Sequence, residues 1–475
     1  MTLTAPAPVA TAAPAPAPTA ARVLPFTAVP SACPTPDVAT ANRVDPFYAG
    51  LWATGSQASW LSVEQAHAQQ REGLGRLPAH LDLDRKTALN RLTVPAALPK
   101  RLNAMGALDM WRTVTGEQAA ALTGDTELAG KARTWTELFA AGVADTGIFS
   151  NGLYNTQGTA RGTLYRPSRT TVFQQKVRPH LTYPETVSVT GGYPWESGSQ
   201  FDRHNLLAVE LGLRTAEWCP GVGTVLGEKL SGFDLLSHTG AADYNLGGSQ
   251  AAADVTVVRK DGLRIAVEVT ASTGPSFDAK VERWARLLSK HRLADTGVVV
   301  VFVVAPRPDK KVAVKEVAVA VRKAVAKASR SYPGVNFDRT ADRMFVAEWT
   351  SWFPEPRHVD RSFFSLAAYR PSGPADNLWR PALLLEPAVV PFRPTDEDAA
   401  AAILRNASTL RGVPHWLRGK DTPPLWPHKV SELGYRGLPV PAASRPETYK
   451  GKPLGQGHGV SAATKPPKRL RSALG

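Results

Sequence analysis

The residues of this chain best placed to do chemistry are two acids set among apolar neighbours, Asp254 and Glu268. They lie in the stretch 249–272, SQAAADVTVVRKDGLRIAVEVTAS, one on each side of a Lys-Asp-Gly turn. Two β-branched runs joined at Lys260, Asp261 and Gly262 predict a β-hairpin over 252–270. A carboxylate in a strand that faces a core is costly unless something pairs with it. Two carboxylates on neighbouring strands can share a divalent cation such as Mg²⁺ or Mn²⁺, which prefers hard oxygen ligands. A cation held there would disperse the negative charge that develops on a phosphoryl group under attack. A lysine two residues beyond the second acid would add a further positive charge. Position 270 is instead a threonine, whose hydroxyl hydrogen-bonds but carries no charge. Lys280 and Lys290, on the helix predicted over 276–291, are the lysines that could reach in from outside the hairpin. Glu210, on the preceding helix, could add a carboxylate to the metal or act as a base. Acids on sheets also pair with basic side chains for structural reasons alone, so the pair speaks to geometry before it speaks to reaction.

The elements that must position these acids flank them on both sides. Residues 202–217, DRHNLLAVELGLRTAE, read as an amphipathic helix with Leu206, Leu207, Leu211 and Leu213 near helical spacing. His204 near its start is read as a structural hydrogen-bonding group. After the hairpin come the helix over 276–291, a buried strand over 298–305, a helix over 311–328 and an edge strand over 343–349. Helices alternating with these strands imply a mixed sheet flanked by helices over residues 200–350. Upstream, residues 99–180 show helices over 100–110, 115–123 and 126–141, the second with Thr115 as N-cap. Short strands over 142–149 and 162–166 follow. Three helices and a two-stranded ribbon is the order of a winged helix-turn-helix, in which the third helix enters the major groove of DNA and the wing touches the backbone. The contacts this predicts are Lys131, Arg133 and Thr134 on the helix and Arg161, Arg166 and Arg169 on the wing. Arginine can bond guanine bidentately, so Arg133 is the base-reading residue of this set. A second cationic stripe, Lys310, Lys311, Lys315, Arg322, Lys323, Lys327 and Arg330 against only Glu316, lies on the later helix.

With 475 residues the chain exceeds one ordinary core, and 40 prolines and 38 glycines predict long irregular segments. Residues 1–44 are an Ala/Pro/Thr tract read as disordered, and 45–98 a helical lead-in with a helix over 62–71. Residues 351–475 are a Pro-rich extension with one helix over 396–410 and a basic tail carrying Lys465, Lys468, Arg469 and Arg471. The net charge of +15 points first to nucleic acid and second to an acidic membrane surface. The two cysteines, Cys33 and Cys219, exclude a disulfide framework and a cysteine zinc site. No P-loop, H-E-x-x-H or G-x-S-x-G element is present. The apolar run at 297–306 is too short to span a bilayer and the N-terminus lacks a signal-peptide pattern, so the expectation is a cytoplasmic protein with no membrane partner.

The order helix, hairpin bearing Asp then Glu, helix, buried strand resembles the core of the PD-(D/E)XK nuclease-like fold. That resemblance implies a metal site made of Asp254, Glu268 and the main-chain carbonyl of Val269, with Thr270 where the family carries its lysine. The region from about 100 to 305 also resembles the replication-relaxation family of plasmid and mobile-element proteins. The matching stretches are the helix pair around 119–122 and 133–139, GTLYRPS, HNLLAVELGLRTAE from His204, VGTVLGEKL from Val222, and IAVEVT. The neutral run STGPS after Ala271 departs from the family's pattern, where a lysine is commonly met. The resemblance implies a bacterial, nucleoid- or plasmid-associated DNA-binding protein of replication or conjugative transfer. Its partners would be DNA, a second copy in a homodimer, and replication or transfer machinery. Mg²⁺-dependent DNA nicking by Asp254 and Glu268 is one activity in keeping with it; a non-catalytic replication or transcription regulator on a degenerate nuclease fold is the other.

Overall fold

The computed structural model describes residues 22–419 apart from 50, 52–57, 150–162, 182, 192–194, 196–201, 232–252, 307–310, 336 and 374–377, together with 448–449 and 452–453. The expected disorder of residues 1–21 and the basic tail after 453 lie outside the described residues, as do Arg161 and Lys310.

Residues 22–44, expected to be disordered, are folded. Val23–Pro25 forms a strand, β1, and Phe26, Cys33 and Val38 are buried in the main core. Composition misleads here because proline removes donors without preventing a segment from lying against a surface built elsewhere. A second strand, β2 (Ala58–Leu61), leads into α1 (Val63–Arg71), started by a capping box between Ser62 and Gln65. Then comes α2 (Arg85–Leu92), capped by Asp84.

The next unit follows the predicted order closely. It runs α3 (Leu98–Trp111), β3 (Val114–Thr115), α4 (Gly116–Thr123), α5 (Arg133–Ala141), β4 (Ala144–Phe149) and β5 (Leu164–Pro167). Thr115 and Gln118 form the capping box of α4, and Gly124 ends it in the left-handed region at φ 78°. The helix predicted over 126–141 is two pieces. A 3₁₀ turn at Thr126–Ala129 closes at Gly130, and α5 begins only at Arg133. Lys131 therefore sits in the break and not on the helix. Strands β2, β4, β5 and β3 pair antiparallel in that order. A short helix, α6 (Tyr183–Thr190), connects onward.

Helix α7 (Asp202–Trp218) leads into β6 (Val222–Gly227), then the hairpin β7 (Val255–Arg259) and β8 (Arg264–Thr270). Gly262 takes φ +88° at the turn, and the Asp261 carboxylate accepts the Leu263 N–H. There follow α8 (Pro275–Lys290), α9 (Leu293–Thr296), β9 (Val298–Val304), α10 (Lys311–Ser331), the small hairpin β10 (Gly334–Val335) and β11 (Asp338–Arg339), β12 (Met344–Glu348) and α11 (Trp349–Trp352). Last come β13 (His358–Asp360), β14 (Ala367–Pro371), β15 (Trp379–Leu383) and α12 (Glu397–Ala407). One seven-stranded mixed sheet results, in the order β15-β14-β12-β9-β8-β7-β6. Strands β8, β9 and β12 are parallel and the other pairs antiparallel. Both β8 and β9 are buried along their whole length, and β9 reads as a continuous apolar run, VVVVFVV, which is how covered parallel strands read.

Strand β12 was expected at the edge and lies inside the sheet, because β14 and β15 add to it from the region read as a separate extension. Their prolines, Pro371 and Pro381, mask them as strands in sequence, yet β15 is the outer strand, where proline is tolerated. One face of the sheet packs against α7, the first unit and the N-terminal segment. The other packs against α8 and α10 through Ala266, Val300, Phe302, Trp284 and Val325. Among the described residues no helix is long and apolar enough to cross a membrane.

Candidate functional site

The register of the hairpin brings the two acids together. Val255 pairs with Val267, so Asp254, one residue before β7, comes level with Glu268 and Val269 on β8. The Asp254 backbone N–H donates to the Val267 carbonyl, and the Val269 N–H donates to Asp254 Oδ2 at 2.6 Å. Glu268 shares its face with Ala266, toward α8, and is 1% exposed. There Trp284 Nε1–H donates to Glu268 Oε1 at 2.8 Å, and Lys280 Nζ donates to Oε2 at 2.7 Å. The cation that position 270 lacks is thus brought in from the first turns of the next helix. Thr270 is buried at the end of β8, and Lys280 stays a third exposed.

Two further groups complete the surroundings. Glu228 follows β6 directly; because Gly227 pairs with Val255, it reaches the level of Asp254 from the neighbouring strand. His204, from the first turn of α7, hydrogen-bonds the backbone of Val269. Burial pushes the carboxyls of Asp254, Glu268 and Glu228 all above their usual range, and the acids reinforce one another. Lys280 opposes all three shifts without cancelling them. Asp254 is pushed up to about 6. The Lys280 ammonium is driven above its ordinary value chiefly by the charge of Glu268. Burial, and then Lys280, hold His204 below its usual value. The cluster holds more buried carboxyl than the lysine neutralises. Chemically its carboxyls can face a cation, or its ammonium an anion. Among the described residues no group of three or more His, Cys, Asp or Glu side chains is arranged as a ready metal cage.

Glu210, expected near this pair, is elsewhere. Its carboxylate accepts from Arg43 Nη2 at 3.0 Å, Arg214 Nε at 3.1 Å and Gln118 Nε2 at 3.3 Å. Burial pushes its carboxyl up, but Arg43 and Arg214 outweigh that and hold it below the usual range. It is a partner of arginines and neither ligand nor base at the hairpin.

The predicted DNA contacts divide. Lys131, Arg133 and Arg169 are exposed. Thr134 is buried, so it is not a surface contact. Arg166 bonds Asp145 Oδ2 at 3.2 Å and lies 4.1 Å over the Trp60 ring, which uses it inside the fold. Arg133 pairs with Glu137, itself buried and bonded to Arg101 at 2.5 Å. Helix α5 as a whole is covered. Phe139 packs with Val63, Ala66, Leu77 and Leu81 from the α1–α2 segment, and Thr136 Oγ1 donates to the His80 carbonyl. A helix that reads a groove needs an open face, and here the lead-in occupies it.

Sequence reasoning missed Glu228 and Trp284. The register of β6 against β7 is what reveals Glu228, and helical spacing from Lys280 to Trp284 places the indole one turn on, facing the same acid. No family model, no curated protein and no solved structure matches this chain.

Proposed function

We propose that this chain is a DNA-binding protein of plasmid or mobile-element replication or transfer, in which a winged helix is joined to a PD-(D/E)XK nuclease-like domain that nicks DNA with a divalent metal. The observation that carries the reading is Lys280 bonded to Glu268 beside Asp254. The acid pair and the cation of a phosphodiester-cleaving site are then all present, with the lysine supplied by α8 where Thr270 stands in the strand. The element order of α3 to β5 supports the winged helix, with the exposed Lys131, Arg133 and Arg169 and not the covered face of α5 meeting DNA, and the helix–hairpin–helix–strand order of α7 to β9 supports the nuclease-like domain.

The residues present fit Mg²⁺ or Mn²⁺. Asp254, Glu268 and the Val269 carbonyl are hard oxygen donors, and the excess of buried carboxyl favours a bound cation. Such an ion supplies Lewis-acid dispersal of charge on the phosphoryl oxygens. Lys280 would hold the scissile phosphate and share that charge, and its partial exposure leaves it open to a substrate. Glu228, whose carboxyl burial raises above its usual range, is the acid beside the pair that could exchange a proton.

A second reading is favoured by the hydrogen bonds already made. Both oxygens of Glu268 and one of Asp254 have protein donors, which suits a scaffold in which the acids only brace α8 against the sheet. Incubation with supercoiled plasmid and Mg²⁺ or Mn²⁺ separates the two. The first reading expects nicking that falls at least about 100-fold in Asp254→Ala, Glu268→Ala and Lys280→Ala. Nicking unchanged in all three, or absent from the parent protein, would sink it in favour of the scaffold.

A further inference from the structure

Strands β10 and β11 pair Val335 with Asp338, so the connection between them is two residues long and ends on Phe337. Two-residue hairpin loops favour Gly, Asn or Asp, because their residues take positive φ. The second loop position here is Phe337, at φ 59° and fully exposed. A bulky residue in that region is strained, and strain kept without packing points to function. The other non-glycine residues at positive φ among the described residues have evident uses. The charge of Arg112 acts on Glu228, Arg357 bonds the carbonyls of Ala41 and Arg43, and Leu366 is buried. Phe337 projects its ring into solvent from a base that is firmly held. The Asp338 carboxylate accepts the Leu293 N–H and lies 3.6 Å from Arg343 Nη1, and the Thr340 N–H donates to Pro333 at 3.1 Å.

Helix α10 runs into this hairpin. Its exposed positions Lys315, Val319, Lys323, Lys327 and Arg330 recur every three or four residues and so share one face, with Glu316 the exposed acid beside them. From Lys315 to Arg330 that stripe is roughly 22 Å long, the reach of a few nucleotides. A line of cations on the helix that leads into a hairpin tipped by an exposed ring matches a polyanion whose bases have open π-faces. It does not match an apolar protein groove, because the exposed apolar residues, Phe337, Val335 and Val319, are single side chains set among cations.

We propose that Phe337 stacks on an unpaired base of a single-stranded nucleic acid whose phosphates lie along the α10 stripe. The proposal rests on the DNA-binding reading above but not on catalysis. It is tested by fluorescence anisotropy on the full chain, using a labelled single-stranded oligonucleotide and the same strand with abasic positions. Phe337→Ala is expected to weaken binding to the intact strand about tenfold and to leave the abasic strand unaffected. Lys323→Glu with Lys327→Glu should weaken binding to both strands and flatten the salt dependence. Phe337→Gly removes the strain, so it should fold with a raised Tm while losing the same affinity, which separates stacking from misfolding. Equal binding by the parent and Phe337→Ala would overturn this proposal and leave the DNA-binding reading standing. A parent that binds neither strand would overturn both. A change of oligomeric state in Phe337→Ala, with DNA affinity unaltered, would mark the ring as a self-association contact and also overturn it.

Discussion

Two buried acid clusters in this molecule have opposite electrostatic balances. Around Glu210, three acids (Asp45, Glu210 and Glu217) meet two guanidiniums, Arg43 and Arg214, and Thr40 gives Glu217 its backbone N–H and hydroxyl as well. Around Glu268, three acids meet one ammonium, with Arg112 acting on Glu228 from one side. The first cluster is fully buried; in the second Glu268 is buried while Asp254, Glu228 and Lys280 keep partial access to solvent. The first holds Glu210 below the ordinary carboxylate range and the second lifts its acids above it. Burial alone therefore does not decide the state of an acid; the number and reach of its cations do. A satisfied cluster braces a fold, and an under-neutralised one is where a fold keeps a cost that function can use.

The largest effect should come from breaking the satisfied cluster. Arg43→Ala strands Glu210 and Glu217 without a guanidinium they share, and should cost about 3–5 kcal/mol in denaturant unfolding at neutral pH. A loss below about 1 kcal/mol would erase the contrast. The next effect has the opposite sign. Asp254 titrates in the folded chain at about 6, above its ordinary value, so the folded state binds its proton more tightly than the unfolded chain does. Its stability is greatest at low pH and declines as pH rises from the unfolded value through about 6. Asp254→Asn cannot ionise and should gain on the order of 1–2 kcal/mol at pH 7, a gain that fades below about pH 4. Thermal melts across that range would show it, and a loss at neutral pH would refute the under-neutralised balance. A smaller effect is the response to Mg²⁺. At ten times its dissociation constant the ion should stabilise the parent by about 1.4 kcal/mol and leave Asp254→Asn unmoved, with Tm as the readout. A Tm that does not rise in the parent would assign the acids to the scaffold. Smallest is Arg133→Ala, which removes the exposed partner of the buried Glu137 while Arg101 still holds that acid, and should change stability by less than about 0.5 kcal/mol.

The β7–β8 hairpin could be read in sequence because its signals are local: a turn tripeptide, alternation on both sides, and an acid in each run. Lys280 was within reach of the same reasoning, since it lies on the first turns of the helix that must cover the strand. The partner of Glu210 was not. Arg43 sits in a tract whose composition suggests disorder, 167 residues away from the acid it bonds. The strands β14 and β15 were hidden by their prolines. The covering of α5 was hidden because α1 and α2 look like any amphipathic lead-in; what they cover depends on a chain path that no local pattern encodes. The order of α3 to β5 was legible, and the openness of its third helix was not.

The binding of β1 to β13 has a consequence for how the chain is made. Arg22 and Asp360 are 338 residues apart, and the Phe26 N–H and Tyr48 hydroxyl bond the Arg357 and Phe353 carbonyls, equally late in synthesis. At ribosomal speeds of about 5–20 residues per second, roughly 20 seconds to a minute pass before those partners emerge. The turn holding Val38 can pack on α4, and Phe26 on Trp218, before then, but β1 must wait for its strand partner while the end of the core that receives it is still being translated. The earliest part of this segment to leave the ribosome is among the last to be locked in place, so a nascent chain offers chaperones an apolar tether that the finished protein conceals.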